Sequence, residues 1–207
     1  ITDILNPVPP QTLTVEAPGA LPESGLALWL RADVGTVLNG SAVTQWSDQS
    51  GNNRHATQAT AGSQALRVNS VLNGQPVVRF DGVNDFLTFN LPVNGLGGIS
   101  IFLVAANTAN PVGVTGPQNA ALFWNEDVFW GAVYVSPFQN RVNSRFGTGQ
   151  AGNNLTYTRP ATVGSGFTLT ESIKDGTTDS LYVDGVLVLS QGGKLATIAG
   201  ARDTGNL

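Results

Sequence analysis

Short apolar or alternating runs, each cut off by Gly, Asn, Asp or Pro, succeed one another along the chain from Gly25 onward. This punctuation is what most restricts the fold. A helix needs an apolar period of 3.6 residues sustained over several turns, and no segment provides one. The 25 glycines are spread throughout, as are the β-branched residues, so every extended run is β-like and soon ends in a turn. The candidate strands are Leu26 to Ala32, Val43 to Trp46, Val77 to Phe80, Phe86 to Phe89, Ile99 to Ala105, Ala121 to Trp124 and Val128 to Val135. Further along come Arg141 to Phe146, Phe167 to Lys174, Ser180 to Val183 and Val186 to Ser190. Leu26 to Ala32 and Ile99 to Ala105 are apolar on both faces, which predicts strands covered on two sides. Val183-Asp184-Gly185-Val186 fits a two-residue hairpin with positive φ at both turn positions. Strands in this number and rhythm predict an all-β domain, a two-sheet antiparallel jelly-roll sandwich.

The 207 residues suit one such domain and are enough to bury a substantial core. Residues 1–24 differ from the rest. Pro7, Pro9, Pro10, Pro18 and Pro22 exclude a helix and remove ladder donors, which predicts an extended leader or linker. Within it, Thr12-Leu13-Thr14-Val15-Glu16 alternates and could form one strand. Residues 25–207 are then the sandwich domain.

Charged residues make up only 12% of the chain, half the usual share, so Asn, Gln, Thr, Ser and Gly must solvate the surface. The net charge of -4 and the lack of a basic cluster argue against a nucleic-acid partner. No apolar run is long enough to span a bilayer as a helix, and no signal-peptide pattern is present. With no Cys, disulfides, thiolate metal sites and a thiol nucleophile are excluded. With no Met, even at the start, the sequence is expected to be a processed or excised piece of a longer chain. Asn39-Gly40-Ser41 and Asn154-Leu155-Thr156 are formal glycosylation sequons, of a kind that also arises by chance.

Catalytic constellations are scarce. His55 is the single histidine, its neighbours suggest no triad, and no Gly-x-Ser-x-Gly elbow occurs. Glycoside hydrolysis needs two carboxylates facing each other across a cleft. The nearest pair, Glu126-Asp127, is adjacent, so on a strand its members point to opposite faces. Hard oxygen donors gather in two loops, where Asp48, Asp81, Asn84 and Asp85 could ligate Ca²⁺. Asp and Asn also bond their own turns, which explains the same residue types without a metal. For a glycan, the aromatic segment from Phe123 to Phe138 holds Trp124, Trp130 and Tyr134, with Asn143 and Arg145 on the strand after it. Rings stack on sugar faces while amide and guanidinium groups bind hydroxyls, although aromatics at strand spacing also build cores. Trp29 and Trp46 are assigned to the core.

Three pieces carry a resemblance: Gln45-Trp46-Ser47-Asp48-Gln49-Ser50-Gly51-Asn52, Val78-Arg79-Phe80-Asp81-Gly82-Val83-Asn84-Asp85-Phe86-Leu87, and Ser180-Leu181-Tyr182-Val183-Asp184-Gly185-Val186-Leu187-Val188. In this order, and over roughly Gly25 to the C-terminus, the chain resembles the laminin-G-like, concanavalin A-type jelly rolls of bacterial surface proteins. The resemblance implies an extracellular or cell-surface setting and a fold that hosts lectins, enzymes and structural modules alike. The Glu-x-Asp-x-Glu strand motif of the jelly-roll glucanases is missing, so the expected function is non-catalytic: adhesion or carbohydrate recognition, with calcium as a possible cofactor. The alternative is a structural subunit of an extracellular assembly, in contact with a neighbouring protein subunit; a glycan-active enzyme ranks third. In the family a closing strand near the end pairs with the first strand, and here the chain stops where it would begin. Leu26 to Ala32 is therefore expected to find another partner, for which Thr12 to Ala17 is the simplest candidate.

Overall fold

The computed structural model describes residues 24–106, 121–126, 132–138, 141–148, 153–158 and 166–207, with only the backbone of 125, 126 and 138. Fifteen strands are described: β1 Thr36–Asn39, β2 Ala42–Trp46, β3 Ala56–Thr57, β4 Leu66–Leu72, β5 Gln75–Arg79, β6 Thr88–Asn90, β7 Gly98–Ala105 and β8 Leu122–Glu126, then β9 Val133–Phe138, β10 Arg141–Phe146, β11 Asn154–Thr158, β12 Thr168–Asp175, β13 Thr178–Val183, β14 Val186–Gln191 and β15 Ala201–Asn206. One 3₁₀ turn, Ala61–Ser63, is the only helical piece among the described residues. All pairings are antiparallel. The large sheet runs β11-β10-β9-β8-β15-β6-β3-β2-β4-β5, with β1 hydrogen-bonded to β2, and the small sheet runs β14-β13-β12-β7. The two sheets pack as an open sandwich, as the strand pattern predicts.

Turn chemistry sets the hairpins. Asp184 and Gly185 take φ of 51° and 78° between β13 and β14, as expected, and Asn73 and Gly74 do the same at 50° and 77° between β4 and β5.

The core lies between the sheets. Leu87, Phe89, Trp124, Val133, Val135, Phe146 and Ile198 are buried together there. Gly205 on β15 stands opposite both Phe89 and Trp124. A Cβ at Gly205 would lie 2.9 Å from Trp124 Cε2 and closer still to the Phe89 ring. The missing side chain is the space the two rings use to meet edge to face, centroids 5.5 Å apart. At the other end the interior is polar: Thr168, Thr170, Ser172 and Lys174 form the inward face of β12. The Lys174 ammonium lies 3.2 Å from Asp179 Oδ1 and donates to Leu195 O at 2.5 Å, pinning the segment before β15 onto the small sheet. Burial pushes the Asp179 carboxyl up, against the pull of Lys174.

The expected strand at Leu26 to Ala32 needs correcting, because this segment belongs to neither sheet. Side chains and the 47–54 loop take up its backbone groups. The Trp29 N–H donates to Asp48 Oδ1 at 2.9 Å, and Trp29 O accepts from the Gln49 amide at 2.7 Å. Asn52 Nδ2 donates to Leu26 O, Arg54 Nη1 to Ala27 O and Trp46 Nε1 to Arg31 O. The core assignment of the two tryptophans is corrected as well. Trp46 is half-buried and packs on the core's margin, whereas Trp29 is half-buried with the Arg31 guanidinium 5.1 Å from its ring centroid.

Candidate functional site

Strand alternation divides the β8–β11 quarter of the large sheet into two chemistries. Val133 and Val135 of β9, Val142 and Phe146 of β10 and Leu155 of β11 point inward, toward the small sheet. Their neighbours therefore face the opposite side. Register then assembles a transverse row, since Phe123 stands opposite Tyr134, Tyr134 opposite Arg145, and Arg145 opposite Asn154. A second row sets Ser136, Asn143 and Thr156 side by side. The first row extends past Phe123 to Asn206 and Thr88, whose hydroxyl donates to Asn206 Oδ1 at 3.0 Å.

Contacts within the row fix its shape. The Tyr134 hydroxyl donates to Asn154 Oδ1 at 3.1 Å, and the Arg145 guanidinium carbon sits 5.1 Å from the Tyr134 ring centroid. Burial pushes the Tyr134 hydroxyl up despite Arg145, so it stays a neutral donor. Arg145 is 7% exposed, while Tyr134, Asn143 and Asn154 are half-buried. The arrangement offers a ring face, two amides, a hydroxyl and a held cation on one surface, the groups that recognise polyhydroxylated ligands.

Of the five residues expected to bind a ligand, Tyr134, Asn143 and Arg145 are brought together. Trp124 is a correction: it lies on the inward face, 1% exposed, with its Nε1–H donated to Leu91 O at 2.9 Å, so its ring cannot stack on a sugar. Trp130 lies outside the described residues. Asn154 joins the site without having been anticipated, Phe123 belongs to the aromatic segment already singled out, and Ser136, beside Asn143, is 2% exposed. Asn154-Leu155-Thr156-Tyr157-Thr158 does alternate polar and apolar, and that period was the available signal for Asn154.

The candidate metal ligands occupy turns. Asp48 Oδ1 accepts the amides of Trp29 and Ser50, each at 2.9 Å. Its Oδ2 accepts the Ser50 hydroxyl at 2.8 Å and the Arg54 amide at 3.0 Å. Asp81 Oδ1 accepts the amides of Val83, Asn84 and Asp85, and Asp85 Oδ2 accepts the amide of Asp81. Asn84 Nδ2 donates to Gly62 O. Among the described residues no three His, Cys, Asp or Glu side chains converge as a metal-ligand group, so the three carboxylates do not form one site. The Nδ1 atom of His55 accepts the Asp48 amide at 3.1 Å, which gives the single histidine a place in the same loop.

No protein-family model matches the chain, and neither does any curated protein. Among solved structures the chain is similar to the crystal structure of the binding domain of Paraclostridial Mosquitocidal Protein 1, at 14% identity and a TM-score of 0.44. The likeness covers 83% of this chain and 42% of that one, so the chain spans less than half the length of this neighbour. The functional reading therefore rests on the residues of the outer face.

Proposed function

We propose that the domain is a non-catalytic recognition module of an extracellular or cell-surface protein, and that it binds glycans on the outer face of the β8–β11 quarter. The observation that carries this reading is the convergence of Tyr134, Asn143, Arg145 and Asn154 in adjacent cross-strand positions. Tyr134 supplies a ring for stacking, Asn143 and Asn154 supply amides for hydroxyl groups, and Arg145, its guanidinium carbon 5.1 Å from the ring centroid, adds charge-assisted donors. The absence of a triad or of paired carboxylates in the sequence supports a binding role over a hydrolytic one.

A glycan array with the 207-residue chain, followed by titration of the best hit, tests the proposal. Tyr134→Phe should weaken binding several-fold, and Tyr134→Ala or Asn143→Ala should abolish it while the melting curve still reports a folded sandwich. An array without hits, or binding unchanged in both alanine variants, removes the glycan assignment. Turnover of a glycan panel that Asn143→Ala abolishes would replace it with an enzyme.

A further inference from the structure

The small sheet ends at β7, and this edge differs from the strands at the other sheet ends. β5 carries Pro76 and Arg79, β14 meets β13 with a register shift, and β11 is a five-residue strand of mostly polar residues. Proline, charge, irregular pairing and shortness are the usual means of keeping a free edge from pairing with another chain. β7 has none of them. It is eight residues long, holds no charge and no proline, and pairs with β12 in unbroken register from Gly98 to Ala105. The ladder also fixes which of its groups face outward. Gly97 O accepts the Gly176 amide at 2.8 Å, so the odd-numbered residues of this strand are the ones bonded to β12. In an antiparallel pair the bonding side alternates along the strand. The N–H and C=O groups of Gly98, Ser100, Phe102 and Val104 therefore point to the open edge, and among the described residues no hydrogen bond reaches them. Phe102 and Val104 are 66% and 56% exposed, and Ile99 and Leu103, though packed against the core, are only half-buried. Solvent thus reaches apolar side chains on both faces of this edge.

We infer that β7 is a self-pairing edge, which joins two copies of this chain antiparallel across a two-fold axis. A second copy fits because an uncharged strand with alternating free groups is its own antiparallel complement. Only registers that set even-numbered residues opposite even-numbered ones bring free groups to free groups. The one centred on Phe102 sets Phe102 opposite Phe102 of the second copy and Ser100 opposite the second copy's Val104, with about six hydrogen bonds. On the outer face the two phenyl rings become direct cross-strand neighbours. On the inner face Ile101 comes opposite Leu103 and Ile99 opposite Ala105, which covers the half-buried apolar residues. A two-fold contact uses the same patch on both copies and consumes both open edges, so assembly closes at the dimer instead of continuing as a fibre. The Thr12 to Ala17 stretch, expected to pair with Leu26 to Ala32, lies outside the described residues.

Sedimentation equilibrium and amide hydrogen exchange on the full 207-residue chain test the inference. The mass should rise from one chain toward two with concentration. Over the same range the amides of Ser100, Phe102 and Val104 should slow at least about tenfold, while those of Ile101 and Leu103 stay protected throughout. Phe102→Lys and Phe102→Glu each set like charges face to face across the axis and should remain monomeric, and an equimolar mixture of the two should dimerise again. A chain that stays monomeric at millimolar concentration overturns the inference, as do dimers that persist in both variants or a mixture that stays monomeric. Protection of Ser100, Phe102 and Val104 at every concentration overturns it too, because a segment of the same chain would then occupy the edge. Glycan binding enters none of these readouts, so their failure is distinct from failure of the recognition site.

Discussion

The loops at Asp48 and Asp81 look alike in sequence and differ in what they hold together. Each opens on an aspartate that gathers backbone amides from the residues just after it, and each contains a glycine with φ near 80°. Asp81 reaches no further than its own loop: Val83, Asn84 and Asp85 are its donors, and its carboxylate is exposed. Asp48 is only 8% exposed and binds Trp29, 19 residues upstream, in addition to Ser50 and Arg54. Turn chemistry makes both loops, but only one of them fastens a separate stretch of chain to the sandwich. The same residue type therefore has a local role at Asp81 and a tertiary role at Asp48.

The largest difference should appear on truncation. Asp48→Ala removes the acceptor of four hydrogen bonds and leaves the Trp29 amide without its partner. Charge-assisted bonds of this kind contribute about 1.5–3 kcal/mol each and are not additive, so the expected loss is about 2–4 kcal/mol in urea denaturation. A loss under about 0.5 kcal/mol, the usual range for a surface substitution, would place Asp48 with Asp81 and erase the contrast.

Acid should show the same contrast through titration. Burial alone raises the Asp48 pKa, but the amides of Trp29, Ser50 and Arg54 and the Ser50 hydroxyl outweigh it, and the net shift is downward from 3.8. A carboxylate whose folded pKa is depressed contributes stability above its unfolded pKa and loses that stability as pH falls through the folded value. Wild-type stability should therefore decline below about pH 4. Asp48→Asn should be less stable at neutral pH and flatter on the acid side, because the titrating group is gone. Parallel acid limbs for the two proteins would remove Asp48 as a source of the pH dependence.

How far each feature could be read ahead depends on the range of the interactions that make it. Ile99–Ala105, Arg141–Phe146 and the Asp184-Gly185 hairpin follow from local period and turn residues, and the structure places them almost residue for residue. Strands β11 and β15 escaped notice because Thr, Asn, Asp and Gly make up most of them, and β15 pairs with β6 and β8 far along the chain, while β1, β3 and β4 are short or interrupted by polar residues. Leu26 to Ala32 misled for the opposite reason: its composition is strand-like, yet its partners are mainly side chains of another loop, with one backbone bond from the Gln49 amide. In the site, Tyr134, Asn143 and Arg145 were recognisable as residue types. Whether Trp124 turned in or out depended on a register set by β9 and β15, which no local window contains.

Asp81→Ala should lower the melting midpoint far less than Asp48→Ala. The amides of Val83 and Asn84 hold the Asp81 carboxyl below its ordinary value, but in an exposed loop water can replace the lost acceptor. The sharper readout is local. Amides of Val83, Asn84 and Asp85 should exchange faster in the variant, while those of β5 and β6 keep their rates. A global loss of protection would mean that this loop also carries tertiary weight.

Calcium should produce the smallest effect, namely none. Both oxygens of Asp48 already accept two donors each, so a cation there would have to displace the bonds that shape the turn, and at the exposed loop no third carboxylate among the described residues joins Asp81 and Asp85 as a ligand group. A ligand that binds only the folded state raises stability by mass action, by about 2.7 kcal/mol at a hundred times its Kd. Coincident melting curves in chelator and in millimolar Ca²⁺ are the expected outcome, with both aspartates acting as turn acceptors alone. A rise in midpoint that Asp81→Ala abolishes and Asp48→Asn leaves intact would locate a cation at the exposed loop, and would reverse the assignment of which aspartate serves more than its own turn.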